Sequence, residues 1–131
     1  MPETKELRDD DFLLIILSGR GEGRFSISGL RRVLYEEEHP QPTMKNGKEV
    51  KVDPHPLIDG RFLTNILRQA NKSFYSALTE VVVTGTIESI GYGEHYLVYS
   101  TINQWAERAK LESGISDDHY SYLRNLGKKL R

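Results

Sequence analysis

The segment 62-FLTNILRQANKSFYSALTEVVVTGTIESIGYGEHYLVY-99 decides how this chain is read, because it carries apolar residues at helical spacing and then changes to a hairpin pattern. Leu63, Leu67, Phe74, Leu78 and Val81 fall at steps of three, four or seven, which on helices makes one buried stripe. Gly85 ends the stripe. Ile87 and Ile90 then flank polar Glu88 and Ser89, Gly91-Tyr92-Gly93-Glu94 supplies turn residues, and Tyr96, Val98 and Tyr99 resume a β-forming run. The segment therefore predicts helix, helix, strand, turn, strand.

Two alternatives stay open within it. Only Asn71 in Arg68-Gln69-Ala70-Asn71 suits the left-handed conformation that a tight interhelical turn favours, so one unbroken helix over residues 59–82 is also compatible with the pattern. The β-branched run Val81-Val82-Val83-Thr84 can instead begin a longer strand.

Outward from this segment, residues 12–17 form the longest apolar run, FLLIIL, behind acidic Asp9, Asp10 and Asp11. Six residues are too few to span a membrane, and no basic stretch precedes them as in a signal peptide. The run predicts a helix over residues 12–18, capped by Asp10 or Asp11 and buried all round, with residues 1–9 as a flexible N-terminus. Gly19, Gly21 and Gly23, with Arg20 and Arg24 between and after them, predict a loop; they match no nucleotide-binding motif. Ser26 or Ser28 caps a second helix that turns Leu30, Val33 and Leu34 inward and ends in Glu36, Glu37 and Glu38, where acid opposes the helix dipole and predicts a loose end.

Residues 39–56 hold four of the five prolines and an Asn46-Gly47 turn signal. This stretch reads as an insertion loop with one edge strand, residues 49–52, placed to pair with the later hairpin. Residues 102–112 predict a helix with Ile102, Trp105 and Ala109 inward, stopped at Ser113-Gly114. A last helix, within residues 113–131, is capped by Ser116 or Asp117 and carries Tyr120, Leu123, Leu126 and Leu130.

The order of elements resembles the winged helix-turn-helix superfamily, with SALTEVVVTGTIESIGYGEHYLVY similar to the end of a recognition helix and its wing. More narrowly, LLIIL, ISGLRRVL and SFYSALTEVVVTGTIES in this order resemble the PadR-like transcriptional regulators, with Tyr75-Ser76-Ala77-Leu78 similar to their Tyr-x-Ala-Leu core. The resemblance implies a mainly helical α+β winged-helix domain over residues 10–112, with a small antiparallel β-hairpin. It also implies a homodimer that uses the C-terminal helix, residues 113–131, as its seam.

On that architecture Asn71, Lys72, Ser73, Tyr75, Ser76 and Thr79 occupy or precede the outward face of the recognition helix, joined by Arg61 and Arg68, while Tyr92 and His95 mark the wing. Such side chains can bond base edges or phosphates in duplex DNA. Arg31 and Arg32, with Lys128 and Lys129, make a secondary basic patch. A net charge of -1 with a pI near 6.4 supplies no bulk attraction to a polyanion, so any contact must be local. Glu94 at the wing would repel phosphate.

The absence of cysteine excludes disulfides and thiolate chemistry and fits a cytoplasmic setting. His39, His55, His95 and His119 are too scattered to propose a metal site. No nucleophile stands beside a base, so neither cofactor nor catalysis is expected. The function expected is duplex DNA binding in the regulation of transcription or replication. The alternatives are a protein–protein adaptor using the insertion and the acidic wing, and single-strand binding through an exposed β face with Tyr92, Tyr96 and Tyr99.

Overall fold

A helix that is apolar all round must be surrounded, and the FLLIIL run is. The computed structural model describes residues 7–21, 23–58, 72–83, 87–91, 94–97 and 99–130. In it α1, Asp9–Arg20, buries every residue from Phe12 to Ser18 and packs against three later helices: α3 (Lys72–Val83), α4 (Tyr99–Ser113) and α5 (Asp117–Lys128). Each buried Leu, Ile or Phe contributes about 1.5–3 kcal/mol, so this helix anchors the core. The Ser18 hydroxyl, buried among apolar side chains, donates to the Ile15 carbonyl at 2.6 Å and so leaves no unpaired donor. The helix starts earlier than its sequence suggests. Arg8, not Asp10 or Asp11, is the N-cap, and the three aspartates fill the first turn, where negative charge complements the positive end of the dipole.

After Gly21, at φ 84°, the chain forms β1, Gly23–Ser26, where a loop was expected. Ser26 ends the strand and caps α2, Ile27–Glu38, its hydroxyl accepting from the Gly29 amide at 2.9 Å. Leu30, Val33 and Leu34 of α2 are buried as expected. Residues 43–50 then form a hairpin of their own, β2 (Thr43–Lys45) paired antiparallel with β3 (Lys48–Val50). Asn46 at φ 54° and Gly47 at φ 76° have the positive φ pair that a two-residue hairpin turn demands. A one-turn 3-10 helix, Pro56–Ile58, brings the chain back to the body, with Ile58 buried.

Helix α3 keeps Val81 to Val83 helical, so these residues do not lengthen the following strand. Phe74, Ala77, Leu78 and Val81 form its buried face. Strands β4 (Ile87–Gly91) and β5 (Glu94–Leu97) pair antiparallel with a register irregularity between Ser89 and Gly91, and β1 adds to the other side of β5, giving the order β1-β5-β4. The expectation that residues 49–52 pair with this hairpin is therefore wrong on two counts. Their strand is already paired locally with β2, and β1 occupies the free edge of β5. Tyr99 is also not in the strand but opens α4.

Ile102, Ala106 and Ala109 are the inward residues of α4, whereas Trp105 is 36% exposed and does not join the core. Gly114 at φ 70° ends the helix, and Ser116 caps α5, accepting from the His119 amide. Leu123, Leu126 and Leu130 are buried against the body. Where α1 and α5 cross, two glycines meet two carbonyls: a methyl group on Gly127 would stand 1.8 Å from the Ile16 oxygen, and one on Gly19 would stand 1.9 Å from the Arg124 oxygen. Helix backbones approach this closely only where no side chain intervenes. The C-terminal helix is thus part of the core, and its apolar side is spent on α1.

The architecture is mainly helical α+β with small antiparallel sheets. No helix among the described residues is long and apolar enough to cross a membrane.

Candidate nucleic-acid interface

Opposite the buried side of α3, Lys72, Tyr75, Ser76, Thr79 and Glu80 are exposed, a pattern set by burial of Phe74, Ala77, Leu78 and Val81 at helical spacing. Tyr75 is 42% exposed with its ring edge-on to buried Phe74, and the Thr79 hydroxyl folds back onto the Tyr75 carbonyl at 2.9 Å. Ser73 lies in the first turn of the same helix. The face therefore offers one cation, one phenol and two hydroxyls beside one acid.

Arg31 joins this face from α2. Its Nη1 donates to the Tyr75 hydroxyl at 3.0 Å and its Nη2 to the Ser28 hydroxyl at 3.3 Å. The guanidinium is thus held at the junction of the first turns of α2 and α3, still partly open to solvent. By sequence Arg31 belongs to a secondary basic patch, because nothing local shows that α2 and α3 bring residues 31 and 75 together. Arg32 is half-buried on the same helix.

The C-terminal part of that secondary patch is elsewhere. Lys129 donates to Glu37 at 2.5 Å, and the Tyr122 hydroxyl donates to the other Glu37 oxygen at 2.6 Å. Glu37 lies six residues beyond Arg31, about 9 Å along the helix. Lys129 is therefore neutralised at the far end of α2, and only Lys128 of the pair stays exposed without such a partner. The expected loose end of α2 is also corrected: the acid that opposes the dipole is tied down by α5. Burial alone would raise the Glu37 pKa, but hydrogen bonds from Lys129 and Tyr122, with the charges of Lys129 and His55, outweigh it and hold the carboxyl below its usual range. The same burial and the carboxylate push the Tyr122 phenol up. His55 stacks on the Tyr122 ring at 4.1 Å and closes the cluster.

Other expected residues fall differently. Arg61, Arg68, Asn71 and Tyr92 lie outside the described residues, as does the question whether residues 59–82 make one helix or two. His95 is in β5, opposite Phe25 on one side and Ser89 on the other. Glu94 pairs with Ser26 and Gly91. Because Tyr96 belongs to β5 and Tyr99 to α4, the tyrosines do not form the single β face considered for single-strand binding. Among the described residues no group of three or more His, Asp or Glu is arranged to hold a metal ion.

Two further features stand apart from the α3 face, the first without a signal in the sequence and the second foreshadowed only by its Asn46-Gly47 turn. A cleft of about 310 Å³ between the start of α1, the end of α3 and α4 is walled by Trp105 and by Arg8, Asp10, Asp11, Arg108 and Glu112. Burial, together with repulsion from Asp10 and Glu112, raises the Asp11 pKa against the opposing pull of Arg8. The other is the β2–β3 hairpin, exposed at every residue. Comparison with protein-family models, with curated proteins and with solved structures finds no match to this chain.

Proposed function

We propose that this chain is a winged helix-turn-helix protein that binds duplex DNA without catalysis and regulates transcription or replication. The observation that carries the reading is the exposed face of α3, with Arg31 bonded across to Tyr75, on the helix that directly precedes the β4–β5 hairpin. The succession α1, β1, α2, α3, β4, β5, with β1 on the free side of β5, supports it, since it keeps the helix, helix, strand, turn, strand order on which the winged-helix resemblance rests. Lys72 and Arg31 would engage phosphate, while Tyr75, Ser76 and Thr79 would face the groove. The proposed protein is a dimer, but its seam would lie away from the α1-facing side of α5.

Fluorescence anisotropy of a labelled 30-base-pair duplex, titrated across a salt series, tests this. Log affinity should fall linearly with log salt, and Lys72→Ala should reduce that slope by about 0.9, the loss of one phosphate contact. No binding at low salt would sink the proposal. Capture of single strands in preference to duplex would replace it.

A further inference from the structure

The hairpin Thr43–Val50 does nothing visible for the fold. All of residues 41–51 are exposed, and none belongs to the apolar core. Two strands standing alone are at best marginally stable, so a chain that retains such a ribbon has a use for it beyond packing. Its charge suggests the use: residues 43–51 hold Lys45, Lys48 and Lys51 against Glu49 alone, a local excess of two positive charges on a chain whose total is -1.

The register makes the placement specific. Lys45 pairs directly with Lys48 across the Asn46-Gly47 turn, and Thr43 pairs with Val50, so these four side chains share one face while Met44 and Glu49 share the other. The ribbon's only acid is thus on the opposite face from the lysine pair. Like charges placed directly opposite destabilise a two-stranded ribbon, and neither lysine has an ion-pair partner among the described residues. An anion between or beyond them relieves that repulsion. A two-stranded ribbon also has the width that a major groove admits, and its tip is free of bulky side chains.

We infer that the β2–β3 hairpin is a second duplex DNA contact, in which Lys45 and Lys48 bind the phosphate backbone. The inference rests on the duplex-binding reading and adds to it a site that α3 does not supply. Because the contact is to phosphate, it is independent of base sequence, and a duplex of arbitrary sequence suffices as probe.

The test is the full chain carrying Lys45→Ala and Lys48→Ala together, measured against the same 30-base-pair duplex over the same salt series. Two lost phosphate contacts should lower the salt slope by about 1.8 and weaken binding most at low salt. The thermal midpoint should stay that of the wild type, since the changed residues touch no core side chain; Thr43→Ala on the same face is the uncharged control. A wild type that binds duplex and a double variant with an unchanged slope would overturn this inference and leave the α3 reading standing. A wild type that does not bind duplex would overturn both, including the case in which it binds anionic vesicles through the hairpin instead.

Discussion

Replacing Gly127 by alanine should destabilise this protein severely, although alanine is the better helix former. In an exposed helix the change gains about 1 kcal/mol. Here the new methyl carbon would sit 1.8 Å from the Ile16 carbonyl oxygen and 3.0 Å from the Arg20 amide nitrogen, both backbone atoms that cannot rotate away. Ordinary contact begins near 3.4 Å, so α1 and α5 would have to part by roughly 1.6 Å at the crossing. A gap of 0.5–1 Å already forfeits a quarter to a half of each dispersion contact, so a separation of this size loosens the buried side chains between the two helices. Overpacking typically costs about 1–3 kcal/mol, and the added loss of contact places the net effect near 3 kcal/mol after the propensity gain is subtracted. For a chain of this size that lowers the thermal midpoint by on the order of 10 °C, out of a total stability of about 5–15 kcal/mol. Urea unfolding should show a lower midpoint at an unchanged slope, and Ser121→Ala, on the exposed side of the same helix, should show no loss. Gly19→Ala should act alike, and the double variant should cost less than the sum because both new methyl groups clash at one crossing, which needs to part only once. A Gly127→Ala protein more stable than the wild type would refute the crossing.

The Glu37 cluster should respond to acid. Its folded-state pKa is below the ordinary 4.5, so its stabilisation is present above that value and lost as pH falls through the folded one; Tyr122→Phe should therefore cost about 1–2 kcal/mol at pH 7, by urea unfolding, and progressively less in acid, once the Glu37 carboxyl is protonated in the fold. A loss independent of pH would count against the hydrogen bond to the carboxylate. Asp11 has the opposite sign. Its folded pKa is raised above the ordinary 3.8, so it destabilises the fold once pH exceeds that range, and Asp11→Asn should raise the thermal midpoint at pH 7 with the gain vanishing in acid; a drop at pH 7 would show that the carboxylate is needed at the helix start. The single tryptophan, Trp105, lies on a polar cleft with the Arg108 guanidinium 5.7 Å from its ring, so native emission should be open to acrylamide quenching. A blue-shifted emission resistant to quencher would place it in the core instead.

What the sequence determined by itself is what short-range patterns control. The all-apolar run at Phe12 to Leu17 has no polar side to show to water, so its central burial followed from composition. Ser26 and Ser116 cap helices because a hydroxyl three residues before an amide is a local matter, and Asn46-Gly47 makes its turn for the same reason. The tertiary structure alone decided the rest. β1 is four residues with glycine at its start, too weak to announce itself, and it exists because β5, far along the chain, offers an unpaired edge. Lys48–Val50 did not join β5, whose free edge β1 took, and Trp105 fell at the rim of α4 because Ile102, Ala106 and Ala109 took the inner side. The candidate site divides in the same way. The exposed row on α3 was legible as a helix face, but the Arg31–Tyr75 bond and the capture of Lys129 by Glu37 depend on how helices pack, and packing joins residues that no local pattern relates.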